Sequence, residues 1–576
     1  MQAVMIVESK KPMDTHSQRT QVYLYHDETK HHLHRYARSA GFLDWATQPD
    51  AFRSWEGARS ILLPLLKKDP EGSHLDLYHR KHNVFWDFHS ESIGAFLELS
   101  LGLSAWKQIP PDGGRWALRM NPSSGNLHPT EAHLILPPII GKTRLGQIEK
   151  DGTFAAFDSS AQGGIYHYQA YRHALEQRAA LPADYVRRLR MHFQTPGFLI
   201  VLTSIAWREA WKYGERALRY CQHDIGHALG AISFAANLLG WRATRLNAVS
   251  TGNLRQILGF QNRVWPSLEN EDPEVICFVS PASVKAIPRT LPDDWVHAME
   301  SLSWQGQPSR LSADHVEWDL LTQTAHVLDK PVTHESSVGF ELKPMLEHPV
   351  SSVAAATLIR RRRSAVAYDG KTTLTSDQFF ALLDKTMPRP DMAPFDLEIG
   401  LTHVHLAIFV HRVIGLPSGL YLLLRDASAF TDLKRNLKHT FEWRLMSSSL
   451  PLYLLQEGEF QDHAAHISCG QSIAGKSAFS LGMLARFRSV VDVAPWDYKT
   501  LFWECGLIGQ VLYLEAEAQG VRGTGIGCFF DDLMHDVLGL RDNNYQSLYH
   551  FTVGGAVEDV RLQTLPAYTH LPADRR

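Results

Sequence analysis

The chain predicts an α+β fold built from two similar units joined end to end, and three observations carry that expectation. At 576 residues it exceeds what one hydrophobic core supports, so at least two domains are expected. A continuous apolar run of strand length, Phe198 to Ile205, precedes a long helix rich in small residues. A shift of 280 residues places Gly226 on Gly506, Ala236 on Ala516, Gly240 on Gly520, Arg242 on Arg522, Thr244 on Thr524, Leu258 on Leu538 and Gly259 on Gly539. These ungapped identities include both helix-ending glycines, as an internal repeat would.

Composition narrows the function classes. A hydrophobic fraction of 44% and a charged fraction of 21% suit a globular protein. A net charge of −3 gives no basic field for nucleic acid. Cys221, Cys277, Cys469, Cys505 and Cys528 lie far apart with no CxxC pair, which predicts reduced thiols in a cytoplasmic protein. The N-terminal apolar run is too short for a signal peptide. Phe198 to Trp207 is about half the ~20 residues a membrane span needs, so no membrane partner is expected.

Taken in order, residues 1 to about 85 are rich in His, Arg and Tyr and show little periodicity. His31, His32, His34 and Arg35 could bind a metal or an anion, but such a run reads more naturally as a solvated face, and no metal is expected. Ser92 to Leu103 has helical spacing. Arg119 to Ile135 reads RMNPSSGNLHPTEAHLI. Asn121, Pro122, Ser123, Ser124, Gly125 and Asn126 favour turn backbone and offer hydroxyls, an amide and free N–H groups to a flat ligand with polar edges. Pro129 to Leu136 can begin a short helix or a strand. The long helix is expected from about Tyr213 to Gly240, with Gly226, Ala228, Gly230 and Ala231 allowing close packing. Residues 282–353 form a proline-punctuated connector with short amphipathic pieces near Trp295 and Trp318, between units at 1–281 and 354–576.

The second unit opens with Arg360, Arg361, Arg362, Arg363 and Ser364 before an expected strand; guanidinium forks match phosphate oxygens. Gly470 to Ser477 satisfies the Walker A expression, but His463 to Cys469 makes a poor strand, and the repeat places Phe479 to Phe487 as the strand instead. Gly523, Thr524, Gly525, Ile526 and Gly527 form a glycine-rich segment where backbone can approach a ligand, although its position after a helix does not suit a dinucleotide fingerprint. His223-Asp224-Ile225-Gly226-His227 faintly echoes a zinc motif and reads better as a helix-borne histidine pair.

Together, the arginine-rich start, the PSSGN loop and the glycine segment after a core helix resemble the nitroreductase family. The Lys212-Tyr213-Gly214-Glu215-Arg216 segment is similar to that of the SagB-type dehydrogenases, which include the azoline oxidases. The resemblance spans most of 90–281 and 354–556. It implies two three-layer α/β/α nitroreductase-like domains forming a pseudo-dimer, with FMN where subunits would meet and NAD(P)H as a candidate electron donor. Family members take the arginine start and glycines from one subunit and the PSSxN loop from the other. The first unit here has PSSGN, but it opens with Thr29 to Ser39, and residues 243–247 lack glycine. The second has the arginines and glycines, but no PSSxN between Thr402 and Ser418. One complete site is therefore expected, holding about one FMN per chain. Pro122, Ser123, Ser124 and Asn126 would meet Arg361, Arg362, Arg363, Ser364 and Gly523 to Gly527 there, with Lys212 and Tyr213 as catalytic residues. The implied substrate is a small molecule or a peptide, other peptide-modifying enzymes are candidate partners, and the chain would be a monomeric pseudo-dimer or a homodimer. A decayed, partner-binding scaffold is the competing class.

Overall fold

The computed structural model describes residues 14–79, 85–111, 113–139, 144–148, 154–156, 163–284, 286–335, 345–346, 351–400 and 402–576. Two antiparallel sheets dominate it. The first runs, edge to edge, Trp241–Arg245, Asp272–Pro281, Phe198–Ser204, Thr130–Leu136, Gly164–Gln169, Ala174–Ala180, Arg59–Leu62, Arg144–Ile148 and Phe154–Ala156. The second runs Arg522–Ile526, Tyr545–Gly554, Phe479–Arg486, Val404–Val410, Gly419–Leu423, Leu452–Glu457 and Arg444–Leu445. Six successive strands thus occupy the same places in both sheets, so the likeness of the two units extends well beyond the residues that are identical.

Each sheet is matched by one core helix, Ala217–Leu238 and Tyr498–Ala518. The two helices pack directly on each other, and Ile225, Ala228, Leu229, Trp503, Leu507 and Val511 share one apolar core. Small residues make that approach possible. A Cβ on Gly230 would lie 2.9 Å from Gln510 Cβ, so the expected role of the small residues in close packing is realised.

The chain ends cross over. Thr15–Glu28 forms a helix whose Tyr23 hydroxyl donates to Asp492 of the second unit (3.0 Å) and whose Tyr25 hydroxyl donates to Glu215 O of the first (2.7 Å). Conversely, Gln563–Leu565 adds a strand to the Leu103–Gln108/Arg115–Arg119 hairpin, and Trp106 Nε1 donates to Ala567 O (2.6 Å).

Several boundaries differ from the sequence reading. The helix at 15–28 lacks a clear amphipathic period because it is held at specific points by both units. The long helix begins at Ala217, not Tyr213: Ala206–Tyr213 is a separate helix, ended at Gly214 with φ +54°. A Cβ on Gly214 would sit 2.3 Å from Arg38 O, so the crossing N-terminal segment forces the break. The arginine start is helical over Ala355–Arg361 because Ala355, Ala356, Leu358 and Ile359 bury one face. Gly523 to Ile526 is an edge strand rather than a loop, since it pairs with Tyr545–Gly554.

Other expectations hold. Phe198–Ser204 and Phe479–Arg486 are strands, Thr130–Leu136 takes the strand alternative, and Ser90–Ser100 is helical. Trp295 and Trp318 are buried beside short helices. The Walker A lookalike falls between the helix Gln461–Ile467 and the strand Phe479–Arg486, on a five-residue helix that no strand precedes. No described helix is long and apolar enough to cross a membrane.

Candidate functional site

The PSSGN loop is held by the first core helix. Ser124 N and Oγ both donate to Asp224 Oδ1 at 3.1 Å, and His128 N donates to Ser123 Oγ at 2.8 Å. Asn126 Nδ2 donates to Ala117 O at 2.9 Å, so the amide braces the hairpin before the loop. Gly125, Asn126 and His128 all have left-handed φ, between +53° and +59°. Two of these are non-glycine residues, which cost about 1–2 kcal/mol each in that region. Such strain is kept where the surroundings over-determine it. Pro122 is buried, Ser123, Ser124 and Asn126 are partly exposed, and Gly125 is exposed.

Tyr213 stands over this loop: a Cβ on Gly125 would lie 2.7 Å from its hydroxyl. Its ring lies 4.5 Å from that of Tyr220, and Lys212 Nζ lies 5.3 Å from the Tyr213 ring centre. Tyr220 in turn fills the space over Gly527, where a Cβ would lie 2.1 Å from its ring; over Gly525 a Cβ would lie 1.8 Å from the Tyr549 hydroxyl. First-unit loop, first-unit tyrosines and second-unit glycines therefore meet in one place.

The arginine start reaches the same neighbourhood. Ala365 N donates to Gly523 O (3.1 Å), Ser364 Oγ and Tyr513 Oη are 2.8 Å apart, and Gly525 N donates to Tyr513 Oη (3.0 Å). Arg362 crosses to the first unit, donating to Met120 O (3.1 Å) and Arg119 O (3.0 Å) just before the loop. Arg363 donates to Ser104 O (3.2 Å). Burial pushes the Arg363 guanidinium down to about 10, with Arg362 beside it adding to the effect. Arg360 is spoken for by Asp69 and Glu98. Arg361 and Ser364 are exposed. Arg361, Arg362 and Arg363 form no ion pair with a described carboxylate, although Glu517 lies within their electrostatic reach. Cations without a paired carboxylate among the described residues and an exposed hydroxyl suit a phosphate, while Tyr220 and Tyr549 cover Gly527 and Gly525.

Two acidic groups escaped the sequence reading. Burial pushes Asp224 up to about 7, despite the hydrogen bonds from Ser123 and Ser124. Glu209, fully buried with neither carboxylate oxygen partnered among the described residues, is pushed well up by burial and then by Asp224. Both act on Tyr213, whose hydroxyl burial raises well above its ordinary value. Asp224 lies inside the faint zinc motif, which hid its role as a loop cap. His223 and His227 are a core pair: His223 faces Leu548 O (3.1 Å) and His227 faces the Tyr549 hydroxyl (3.2 Å).

The related position on the other side of the helix pair is closed. Arg245 takes the place that Gly525 holds in the second unit; its guanidinium lies 5.1 Å from the Trp503 ring centre and donates to Ile399 O. Arg242 and Arg289 both pair with Glu398, at 3.0 and 2.9 Å. The counterpart of the PSSGN turn is the 3-10 turn Phe395–Leu397, not a segment of Thr402 to Ser418, which instead contributes the Val404–Val410 strand. Glu504, the repeat partner of Asp224, accepts from His403 N (2.9 Å) but is neutralised by Arg425.

The histidine cluster near the N-terminus is divided among separate contacts. His31 is buried, with its Nδ1 accepting from Ala37 N; His32 lies 3.2 Å from Asp532, and His34 is exposed. No group of three or more His, Cys, Asp or Glu among the described residues is arranged to hold a metal ion. A surface cavity of about 610 Å³, lined by Arg19, Tyr23, Arg488 and Asp492, contains none of the residues of the tyrosine-glycine cluster.

No family model and no curated protein matches the chain. Among solved structures, an Anabaena variabilis protein provisionally described as a nitroreductase is 22% identical. The match covers 93% of this chain and 99% of that one, with a TM-score of 0.61. The fold is therefore that of this nitroreductase-like structure over nearly the full length. Weaker likenesses are to the Escherichia coli microcin synthetase McbBCD complex with truncated pro-MccB17 and to the FMN-dependent nitroreductase NfnB of Mycobacterium smegmatis in complex with NADPH. The first is 16% identical, covering 38% of this chain and 71% of that one, with a TM-score of 0.24. The second is 12% identical, covering 35% and 87%, with a TM-score of 0.19.

Proposed function

We propose that the chain is an FMN-dependent oxidoreductase with one working site, assembled from both units, acting on a small molecule or peptide. The observation that carries this reading is the convergence of Ser124, Gly125 and Tyr213 with Ser364, Gly525 and Gly527, set against a related position filled by Arg245. Arg361, Arg363 and Ser364 would hold the phosphate; Ser123, Ser124 and the glycine backbone would frame the ring. FMN, when bound, supplies hydride transfer.

The chain's own residues would manage protons. Tyr213 has a hydroxyl at the loop, and Asp224, pushed up to about 7, shares its proton between forms near neutrality. Lys212 places a cation beside the Tyr213 ring, where it would favour negative charge on a substrate. The SagB-like Lys-Tyr pair adds the azoline-peptide reaction as the finer form of the proposal, with NAD(P)H as an alternative electron donor. Purified protein tests the reading: it should be yellow, and acid extraction should release FMN. A colourless chain that takes up no FMN on reconstitution would refute it.

A further inference from the structure

Cys469 and Cys528 are 59 residues apart in sequence and contribute to no motif, yet their sulfurs lie 2.8 Å apart. Cys469 follows the helix Gln461–Ile467; Cys528 follows Gly527 at the end of the glycine strand. The two segments are clamped beside the thiols, with Phe530 N donating to Ile467 O (2.7 Å) and Gln471 Nε2 donating to Cys528 O (3.1 Å). Closing a disulfide, whose sulfurs lie about 2.05 Å apart, would therefore need a shift of under about 1 Å. Both thiols are partly exposed, whereas Cys221, Cys277 and Cys505 are buried.

The pair is asymmetric. His31 lies on the Cys528 side and lowers its thiol, and because its Nδ1 accepts from Ala37 N (3.0 Å), the proton of the neutral ring sits on Nε2. Arg216 lies on the same side, donating to Gly527 O at 3.1 Å. The close sulfur contact with Cys469, reinforced by His31 and Arg216, holds Cys528 well below an ordinary thiol, while Cys469 is held above it. Thiolate character and access decide which cysteine reacts. Both thiols are partly exposed, and thiolate character singles out Cys528.

We propose that Cys469 and Cys528 form a redox-active dithiol that undergoes exchange with low-molecular-weight disulfides, with Cys528 as nucleophile and Cys469 as the resolving thiol. The Cys528 thiolate attacks one sulfur of RSSR, forming a Cys528–SR bond and releasing RS⁻. Cys469 then loses its proton, and its sulfur attacks Cys528 Sγ, breaking the Cys528–SR bond and expelling the second RS⁻. The two protein thiols lose two electrons to RSSR, and their protons end on the released thiols. The inference does not depend on flavin binding.

Oxidised glutathione is the probe, applied to the reduced full-length chain and followed by peptide mapping. The wild type should yield a peptide linking Cys469 to Cys528. Cys469→Ser should stop at a glutathione adduct on Cys528. In Cys528→Ser, any adduct on Cys469 should form about tenfold more slowly or not at all, since thiolate fraction sets the rate. Wild-type alkylation by iodoacetamide, which needs no variant, should label Cys528 before Cys469. Absence of the linked peptide, an adduct that forms first on Cys469, or alkylation of Cys469 ahead of Cys528 would overturn the assignment.

Discussion

Gly226 and Gly506, repeat partners 280 residues apart in sequence, face each other where the two core helices cross. A Cβ on Gly226 would lie 2.4 Å from Trp503 O, and one on Gly506 would lie 2.3 Å from His223 O. Equivalent residues that touch define an approximate twofold axis between the units, so whatever one unit lends across the axis the other is placed to receive.

Gly226→Ala should therefore destabilise the chain. Alanine gains about 1 kcal/mol of helix propensity over glycine, but overpacking a tight core typically costs about 1–3 kcal/mol. The clash here is with helix backbone, which cannot rotate away. Urea unfolding should show a lower midpoint, and an unchanged or raised midpoint would contradict the backbone contact.

A buried network under the first sheet sets a second expectation. His167 faces Glu131 (3.0 Å) and Glu176 (2.9 Å); although burial opposes its charge, these two carboxylates raise it to about 9. Its stabilising charge is fully present below about pH 6.5 and lost as pH rises through about 9. Glu271, paired with His133 at 2.6 Å, is lowered to about 2 despite burial, so its contribution is full above 4.5 and lost as pH falls from there through about 2. Thermal unfolding of wild type should weaken between pH 7 and 10 by more than that of His167→Gln. Parallel curves would remove His167 as the cause.

The phosphate assignment is best tested at Arg361. Arg363 and Arg362 brace backbone carbonyls, so changing them confounds binding with folding. Arg361 is exposed and forms no hydrogen bond to a described residue. Loss of one charge-assisted hydrogen bond, worth about 1.5–3 kcal/mol, should weaken FMN about 10- to 100-fold. The urea midpoint should not move. Unchanged FMN affinity in Arg361→Ala would point the phosphate elsewhere.

The fold was legible because it rests on local chemistry: the apolar run at 198–204, the glycines that end both core helices, the turn residues of the PSSGN loop. What stayed hidden depends on contacts made across the chain. Asp224 and Glu209 look like ordinary helix residues until the loop from residue 123 folds over one and burial isolates the other. The arginine start looked extended because four adjacent charges mask the apolar face of Ala355–Arg361. Gly523 to Gly527 looked like a loop because an edge strand made of glycine has no side-chain alternation to read. Cys469 and Cys528 had no spacing signal at all.

Tyr213 and Asp224 provide the sharpest test of turnover. Asp224→Asn keeps an oxygen that can accept from Ser124 N and Oγ, so the loop and flavin binding should survive. Burial raises the folded-state carboxyl from 3.8 to about 7, so stability falls as pH rises from 3.8 to about 7 and the full cost remains above it. The variant should accordingly be at least as stable as wild type at pH 8. If Asp224 carries the proton, anaerobic reduction of the bound flavin by NADPH should show a pH limb near 7 in wild type that vanishes in Asp224→Asn. Tyr213→Phe keeps the ring over Gly125 and Tyr220 but removes the hydroxyl; it should lower the reduction rate about 100-fold, the small end of acid–base effects, with FMN affinity unchanged. If both variants keep the wild-type rate and the wild-type pH profile, these residues serve packing alone, and the chemistry must be sought on the second-unit side of the glycine strand.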